Sequence, residues 1–214
     1  MRLSTFERRL RAQLMRAERT YVEAVVLTRH DLRHVRRHKM EGAVSDAWQA
    51  YCDFVRSVCM HSAIGSITSQ GTVTVPSIVP ATWQRASHIA ARVSRNKPPA
   101  SGGINSVKRN EPTWGDVAKV ILIVNALSPT NAQTLVRNFG GSLYGPPHCQ
   151  KVRNACAHKN DQNIQAVREL AVFYVAQPIT LPTEALTWID TVTGKPAFIS
   201  WLDDMRDIAG GAVA

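Results

Sequence analysis

Apolar residues recur at every third or fourth position along the first sixty residues of this chain, which is the spacing of helices that bury one face. Apolar residues follow this spacing over residues 6–35, and no Gly or Pro occurs before Gly42. The pattern therefore predicts one long N-terminal helix. The same spacing from Val44 to Cys59 predicts a second helix that ends near Gly65. Helical patterns of this length leave little chain for a sheet and favour an all-α fold.

Two polar stretches interrupt the helical pattern, at residues 66–81 and 96–112. Their Ser, Thr, Gly and Pro content predicts irregular loops, with a short extended piece at 72–75. A small hairpin is expected around 193–196. The other helices are predicted at 82–95, 113–127 with Thr113 as N-cap, 128–139 with Ser128 as N-cap and Pro129 after it, 148–158, 162–176 and 201–209. The predicted architecture is an antiparallel, up-and-down helical bundle.

The length and composition indicate one folded domain. A chain of 214 residues can bury one substantial core, and we predict a single domain, 1–214. The longest apolar run, 117–127, is interrupted by Lys119 and Asn125 and is too short to span a bilayer. The first twenty residues are rich in Arg and lack the apolar segment of a secretory signal. We therefore expect a cytoplasmic protein that does not associate with membranes.

Positive charge is concentrated at the N-terminus. The formal net charge is +10, and residues 1–40 hold ten Arg and one Lys against four acidic residues. Such a field attracts a polyanion, although a solvated helix face would have the same composition. We expect RNA as the partner. The side chains predicted to contact it are Arg29, Arg33, Arg36, Arg37, Lys39, Lys151 and Lys159.

Two groups of residues contain possible metal ligands, but neither group is predicted to bind a metal. His30, His34 and His38 recur at helical spacing, but the surrounding arginines would repel a cation, so a basic strip is favoured over zinc. The cysteines form two pairs of equal spacing, Cys52/Cys59 and Cys149/Cys156. Seven helical residues separate two thiols by roughly 10 Å along the axis, too far for both to bind one zinc. A site with one Cys from each pair remains an alternative; we predict buried packing thiols and no metal.

An Arg followed by a His five positions later occurs four times. The pairs are Arg29/His34, Arg33/His38, Arg56/His61 and Arg153/His158. Only Arg153 is followed by Asn, giving R-N-A-C-A-H, and the residues between its Arg and His are small. The first two pairs lie in the basic run, and bulky Val58 and Met60 lie between the members of the third. The last pair is therefore the candidate site.

A helical wheel places this motif beside a buried stripe. The stripe is predicted to contain Cys149, Val152, Ala155 and Cys156. At 100° per residue, Arg153, Asn154 and His158 fall in the adjacent polar sector, with Ala157 between the Arg and the His. The expected result is a shallow notch flanked by a guanidinium and an imidazole.

The R-N-x-x-x-H motif on a late helix of an all-α bundle resembles the HEPN superfamily, particularly its prokaryotic ribonuclease members. The resemblance covers about residues 44–175 and leaves 178–214 as a C-terminal elaboration. It implies a metal-independent endoribonuclease without a cofactor, whose catalytic residues are Arg153, Asn154 and His158. It also implies a homodimer formed through the motif helix, a role as toxin or defence effector, and an antitoxin or other regulatory protein as partner.

One position departs from the family pattern. Some HEPN toxins have a Tyr two residues after the motif His, and that Tyr is modified by a partner enzyme. This chain has Asn160 there, so control by that modification is not expected.

Metal-free cleavage of RNA uses the substrate's own 2′-OH as nucleophile and leaves a 2′,3′-cyclic phosphate. A His can exchange a proton near neutral pH, and an Arg fork matches phosphate oxygens. Because one motif supplies one His, separate base and acid roles favour two motifs across a two-fold axis. The rival interpretations are a non-catalytic HEPN-like module that binds RNA, a nucleotide or a protein, and a helical interaction protein whose motif is accidental.

Overall fold

The computed structural model describes residues 1–27, 29, 32–99 and 108–214. His30 and the middle of the predicted 96–112 loop lie outside the described residues. Most of the described chain is helical, which confirms the all-α prediction in its coarse form. The α-helices are α1 (Ser4–Val25), α2 (Arg33–Ile64), α3 (Trp83–Val93), α4 (Val117–Leu127), α5 (Ala132–Phe139), α6 (Gly145–Ala157), α7 (Asp161–Arg168) and α8 (Ala197–Ala212). The up-and-down topology stays a prediction.

Two short antiparallel pairs accompany the helices. Strands β1 (Ser66–Ile67) and β2 (Val73–Thr74) pair with each other, which confirms the extended piece predicted near 72–75. Strands β3 (Tyr174–Val175) and β4 (Ile189–Asp190) form the second pair. The predicted turn near 193–196 is present as well, since Gly194 has φ +68° and its amide donates to Asp190 O. Short 3₁₀-helices span Lys108–Asn110, Glu169–Phe173 and Pro182–Thr187.

The prediction of one helix from residue 6 to Gly42 is wrong in its boundary. Helix α1 ends at Val25, and α2 begins at Arg33 and continues through Gly42. A Cβ at Gly42 would meet nothing within 4 Å, so this position only carries the helix-propensity cost of Gly, about 1 kcal/mol. The fully buried Ala43 and Val44 that follow favour continued helix and offset that cost.

Two predicted helix starts are also wrong. Thr113 does not cap α4; the carboxylate of Asp116 accepts from Lys119 N at 3.3 Å, and the helix begins at Val117. Ser128 is the left-handed C-cap of α4, with φ +43°, rather than the N-cap of α5. Helix α5 instead follows Asn131. The Asp116 side chain caps α4, whereas Asn131 makes no capping hydrogen bond and its side-chain amide donates to Ser62 Oγ at 3.1 Å. The sequence pattern does not distinguish between adjacent candidate positions.

The ends of the last helices differ from prediction as well. The motif helix α6 begins at Gly145, because Pro146 and Pro147 occupy the first turn, where no amide hydrogen is needed. Helix α7 ends at Arg168 instead of 176, and the chain tightens into 3₁₀-helix before β3. Helix α8 is longer than the predicted 201–209.

The chain packs as two compact units, each assembled from separate segments. The first contains residues 1–9, 52–142 and 207–214, and the second contains residues 10–51 and 143–206. All motif residues and all seven predicted RNA contacts belong to the second unit. In the part of the chain that the structure describes, no helix combines the length and apolar character needed to cross a membrane.

Candidate active site

Helix α6 buries the stripe that the helical wheel predicts. Cys149, Val152 and Ala155 are fully buried and Cys156 is 8% exposed, whereas Lys151 is exposed. All four cysteines of the chain are buried free thiols, as predicted. Burial raises the pKa of Cys156 to about 12, so this thiol stays protonated beside the motif at neutral pH.

The three motif residues lie at the exposed C-terminal end of α6. Arg153 and Asn154 are half-buried, and Arg153 Nη1 donates to Asn154 Oδ1 at 3.2 Å. His158 is exposed and forms the C-cap, with its amide donating to Asn154 O at 2.8 Å. Among the described residues, no carboxylate forms an ion pair with Arg153, and the imidazole of His158 has no hydrogen bond. Both groups therefore remain available to a ligand.

Helical geometry extends only as far as Ala157, the last residue of α6, so the helical wheel does not apply to His158. His158 has φ −120° and ψ 43°, outside helical geometry, so its side chain leaves the direction that continued helix would set. The side-chain Nδ2 of Asn163 in α7 donates to His158 O at 3.4 Å, and the backbone amide of Asn163 donates to the side chain of Asn160, which caps α7. The exposed imidazole is thus carried on a short capped turn between two helices.

Glu41 connects two of the predicted RNA contacts. Its Oε1 lies 2.9 Å from Arg37 Nε and 3.6 Å from Lys159 Nζ, so the neighbour of His158 and the basic end of α2 meet at one carboxylate. Sequence reasoning omitted Glu41, although its i,i+4 spacing from Arg37 is a recognisable ion-pair signal. Lys39 is engaged elsewhere, with Glu23 Oε2 at 2.6 Å.

The first turns of α2 border a cavity of about 540 Å³. It is lined by three arginines and Met40 of α2 and by five residues of the 180–187 segment, namely Arg33, Arg36, Arg37, Met40, Thr180, Leu181, Thr183, Glu184 and Thr187. Arg33 is exposed, and Arg36 and Arg37 are half-buried. The predicted contacts Arg29 and Lys151 are not among the residues that line this cavity. Three of the seven predicted RNA contacts therefore share one concave surface.

The competing pair Arg56/His61 serves structure. Arg56 Nε donates to Glu111 Oε2 at 2.6 Å and Arg56 Nη2 donates to Glu111 Oε1 at 2.8 Å, and the Glu111 side chain is 3% exposed. The imidazole of His61 packs between Phe6 and Trp83, with ring centroids 4.5 and 4.7 Å away. Burial lowers the pKa of His61. A guanidinium and an imidazole occupied in this way are not free for a substrate.

His148, at the start of α6, is buried among aromatic rings. Its Nδ1 lies 2.5 Å from Tyr174 Oη, which accepts a hydrogen bond from Trp201 Nε1 at 2.7 Å. Burial, aided by the positive charge of Lys151, lowers the pKa of His148 to about 4. This imidazole is neutral at physiological pH and belongs to the interior rather than to the motif.

The residues within the described ranges 1–27, 29, 32–99 and 108–214 contain no group of three or more His, Cys, Asp or Glu side chains arranged to hold a metal ion. His34 and His38 line a separate shallow cavity together with Val35 and Lys39.

The chain matches no family model, no curated protein and no solved structure.

Proposed function

We propose that this protein is a metal-independent endoribonuclease of the HEPN type that acts in the cytoplasm. The observation that carries the proposal is that the side chains of Arg153 and His158 are both available to a ligand. Within the described chain, neither side chain is consumed by a carboxylate, and His158 is exposed at a helix end. Arg56 and His61 have the same spacing, but Arg56 is paired with Glu111 and His61 is packed between Phe6 and Trp83.

Each motif residue has a chemical role in the proposed reaction. His158 exchanges the proton of the attacking 2′-OH or of the leaving 5′-oxygen, and Arg153 holds the non-bridging phosphate oxygens as negative charge develops. Asn154 positions Arg153 through the 3.2 Å hydrogen bond between them. The products carry 2′,3′-cyclic phosphate and 5′-hydroxyl ends, and DNA is spared because it lacks the nucleophile.

Two copies of the motif supply the base and the acid, so the proposed enzyme is a homodimer formed through α6. The basic residues of the second unit contact the RNA strand on either side of the cleaved bond. A toxin or defence role, with an antitoxin or other regulatory protein as partner, completes the proposal by analogy.

Cleavage of a fluorescent oligoribonucleotide in the presence of EDTA tests this proposal. We expect turnover by the wild type, with loss of at least about 100-fold in His158→Ala and Arg153→Ala, since each removes a group acting in the transition state. His38→Ala, which removes an exposed imidazole from α2, is the matched control and is expected to retain activity. Turnover that requires magnesium, or that persists in both motif variants, would rule the mechanism out.

A binding module is the second candidate, because the arginine-lined cavity is a recognition surface that needs no catalysis. The two candidates separate in one assay. If the wild type binds RNA without cleaving it, and His158→Ala binds the RNA equally well, the protein is a binding module.

A further inference from the structure

The cavity between the start of α2 and residues 180–187 is built for a concentrated negative charge. Arg33, Arg36 and Arg37 follow the i, i+3, i+4 spacing, so all three guanidinium groups lie on one helix face. They occupy the first two turns of α2, where the helix dipole adds positive potential. The buried thioether of Met40 and the half-buried Leu181 form the apolar part of the wall.

Thr183 contributes a second, independent feature. The residue is 3% exposed, lines the cavity, and its hydroxyl has no hydrogen-bond partner among the described residues. Although the residue is buried, its hydroxyl is not one of the fully enclosed unpaired polar atoms of the described chain, so it is accessible at the cavity wall and can bond a ligand or water there. The hydroxyl is therefore placed where a ligand oxygen would complete its hydrogen bonding.

The acidic residues nearby leave the cavity positive. Glu184 also lines the cavity. Its Oε2 accepts hydrogen bonds from Thr180 N at 2.7 Å and Leu181 N at 2.9 Å, and these two backbone donors partly offset its negative charge. Of the nitrogens of Arg37, only Nε donates to Glu41, so the two terminal nitrogens of Arg37 can still reach a ligand. Within the described chain, no carboxylate forms an ion pair with Arg33 or Arg36.

We propose that this cavity binds a terminal phosphate, the phosphomonoester of a nucleotide or of a 5′-phosphorylated strand end. A phosphomonoester carries between one and a half and two negative charges and three terminal oxygens, whereas an internal phosphodiester carries one charge and two. Three guanidinium groups and the Thr183 hydroxyl match the former. A cavity of about 540 Å³ is also large enough to admit the attached nucleoside.

Binding measured by calorimetry on the full chain tests the site, with AMP, adenosine and matched oligoribonucleotides bearing 5′-phosphate or 5′-hydroxyl ends as probes. The oligonucleotides are measured in the His158→Ala background, so that cleavage does not interfere. We expect AMP or the 5′-phosphorylated strand to bind, and the counterparts without the phosphate to bind at least about tenfold more weakly, as expected for charge-assisted hydrogen bonds. Whichever phosphorylated probe binds more tightly identifies the source of the phosphate.

Three variants connect the binding to this cavity. Arg36→Ala and Thr183→Val are each expected to weaken phosphate-dependent binding roughly tenfold, while helical content is unchanged by circular dichroism. Lys119→Ala is the control, because it removes a partly exposed positive charge that neither lines the cavity nor belongs to the predicted RNA contacts.

Equal binding of AMP and adenosine would show that the phosphate is not recognised, and an equal loss in Lys119→Ala and Arg36→Ala would show diffuse charge attraction. Either result would overturn the site. Because every measurement is of binding, the result is independent of whether Arg153 and His158 cleave RNA.

Discussion

At the scale of single residues, His148 shows how burial decides what an imidazole can do. It is 5% exposed, and its Nδ1 contacts the hydroxyl of Tyr174. Since the indole of Trp201 donates to the same oxygen, the Tyr174 hydroxyl proton is available to Nδ1, which favours neutral His148. His158, ten residues later at the opposite end of α6, is exposed and keeps the freedom that a proton-transfer role requires.

The lowered pKa of His148 predicts a loss of stability in mild acid. The folded state holds its pKa near 4, whereas an unfolded His titrates near 6.5. The unfolded state therefore binds the extra proton as pH falls between these values. The stabilisation is complete above about pH 6.5 and is lost as pH falls towards 4. His61, whose pKa is also lowered, acts in the same direction.

Urea unfolding measures this effect. We expect the wild-type free energy of unfolding to be about 2 kcal/mol lower at pH 5 than at pH 7 on account of His148. His148→Gln, which keeps an acceptor for Tyr174 but does not titrate, should remove most of that difference. His38→Gln, an exposed control, should leave it unchanged. A His148→Gln variant with the wild-type pH dependence would contradict the assignment.

At the scale of elements, two helical glycines differ in what surrounds them. Gly145 opens the motif helix, and its amide donates to Asp204 Oδ2 of α8 at 2.7 Å. A Cβ at Gly145 would lie 2.7 Å from both Cα and carbonyl O of Trp201. The close approach of α6 to α8 therefore depends on the missing side chain. Gly42, inside α2, has open space around it.

Alanine at these two glycines should have opposite effects. Gly42→Ala should raise the free energy of unfolding by about 0.5–1 kcal/mol, through helix propensity. Gly145→Ala should lower it by about 1–3 kcal/mol, because backbone must move to admit the methyl group. Thermal unfolding of both variants measures the difference. A neutral Gly145→Ala would show that α6 can shift away from α8 without cost.

The Arg56–Glu111 pair shows an ion pair placed where water is excluded. Burial alone would raise the pKa of Glu111, but hydrogen bonds from Arg56, Ser87 and Trp114 outweigh it and hold the pKa below its usual value. Arg56 also lies over the ring of Trp83, 5.1 Å from its centroid. Arg56, Ser87 and Trp114 thus converge on one carboxylate within the first unit.

At the scale of the whole molecule, the proposed enzyme depends on two copies of the motif. Each chain contributes one His158, and the proposed reaction uses both an acid and a base. The formal charge of +10 favours the approach of RNA but opposes association of two like-charged chains, so the dimer interface must bury enough apolar surface to compensate.

Mixing wild-type and His158→Ala chains tests the requirement for two motifs. If the active species needs both imidazoles, an equimolar mixture after subunit exchange should retain roughly a quarter of the wild-type activity, since only one dimer in four is fully wild type. A monomeric enzyme would retain about half. Light scattering on the same samples gives the mass. A monomer that cleaves RNA would refute the two-motif mechanism.

Local signals in the sequence were sufficient for much of this protein. The 3.6-residue periodicity of apolar positions predicted the helical class and the buried stripe of α6, because which residues are buried on a helix follows directly from their spacing. The ends of α2 and α5 followed from Gly65 and Gly140, since Gly readily terminates helices. The R-N-x-x-x-H motif was visible because its residues are adjacent in the chain.

Only the tertiary structure decided which of several equivalent residues are used. It selected Asp116 over Thr113 as a cap, ended α1 at Val25, and carried α2 through Gly42. It also brought Thr183 to the same cavity as arginines nearly 150 positions away. It paired Arg56 with Glu111, and it buried His148 while His158 stayed exposed. These outcomes depend on contacts between distant segments, whose partners a local pattern does not specify.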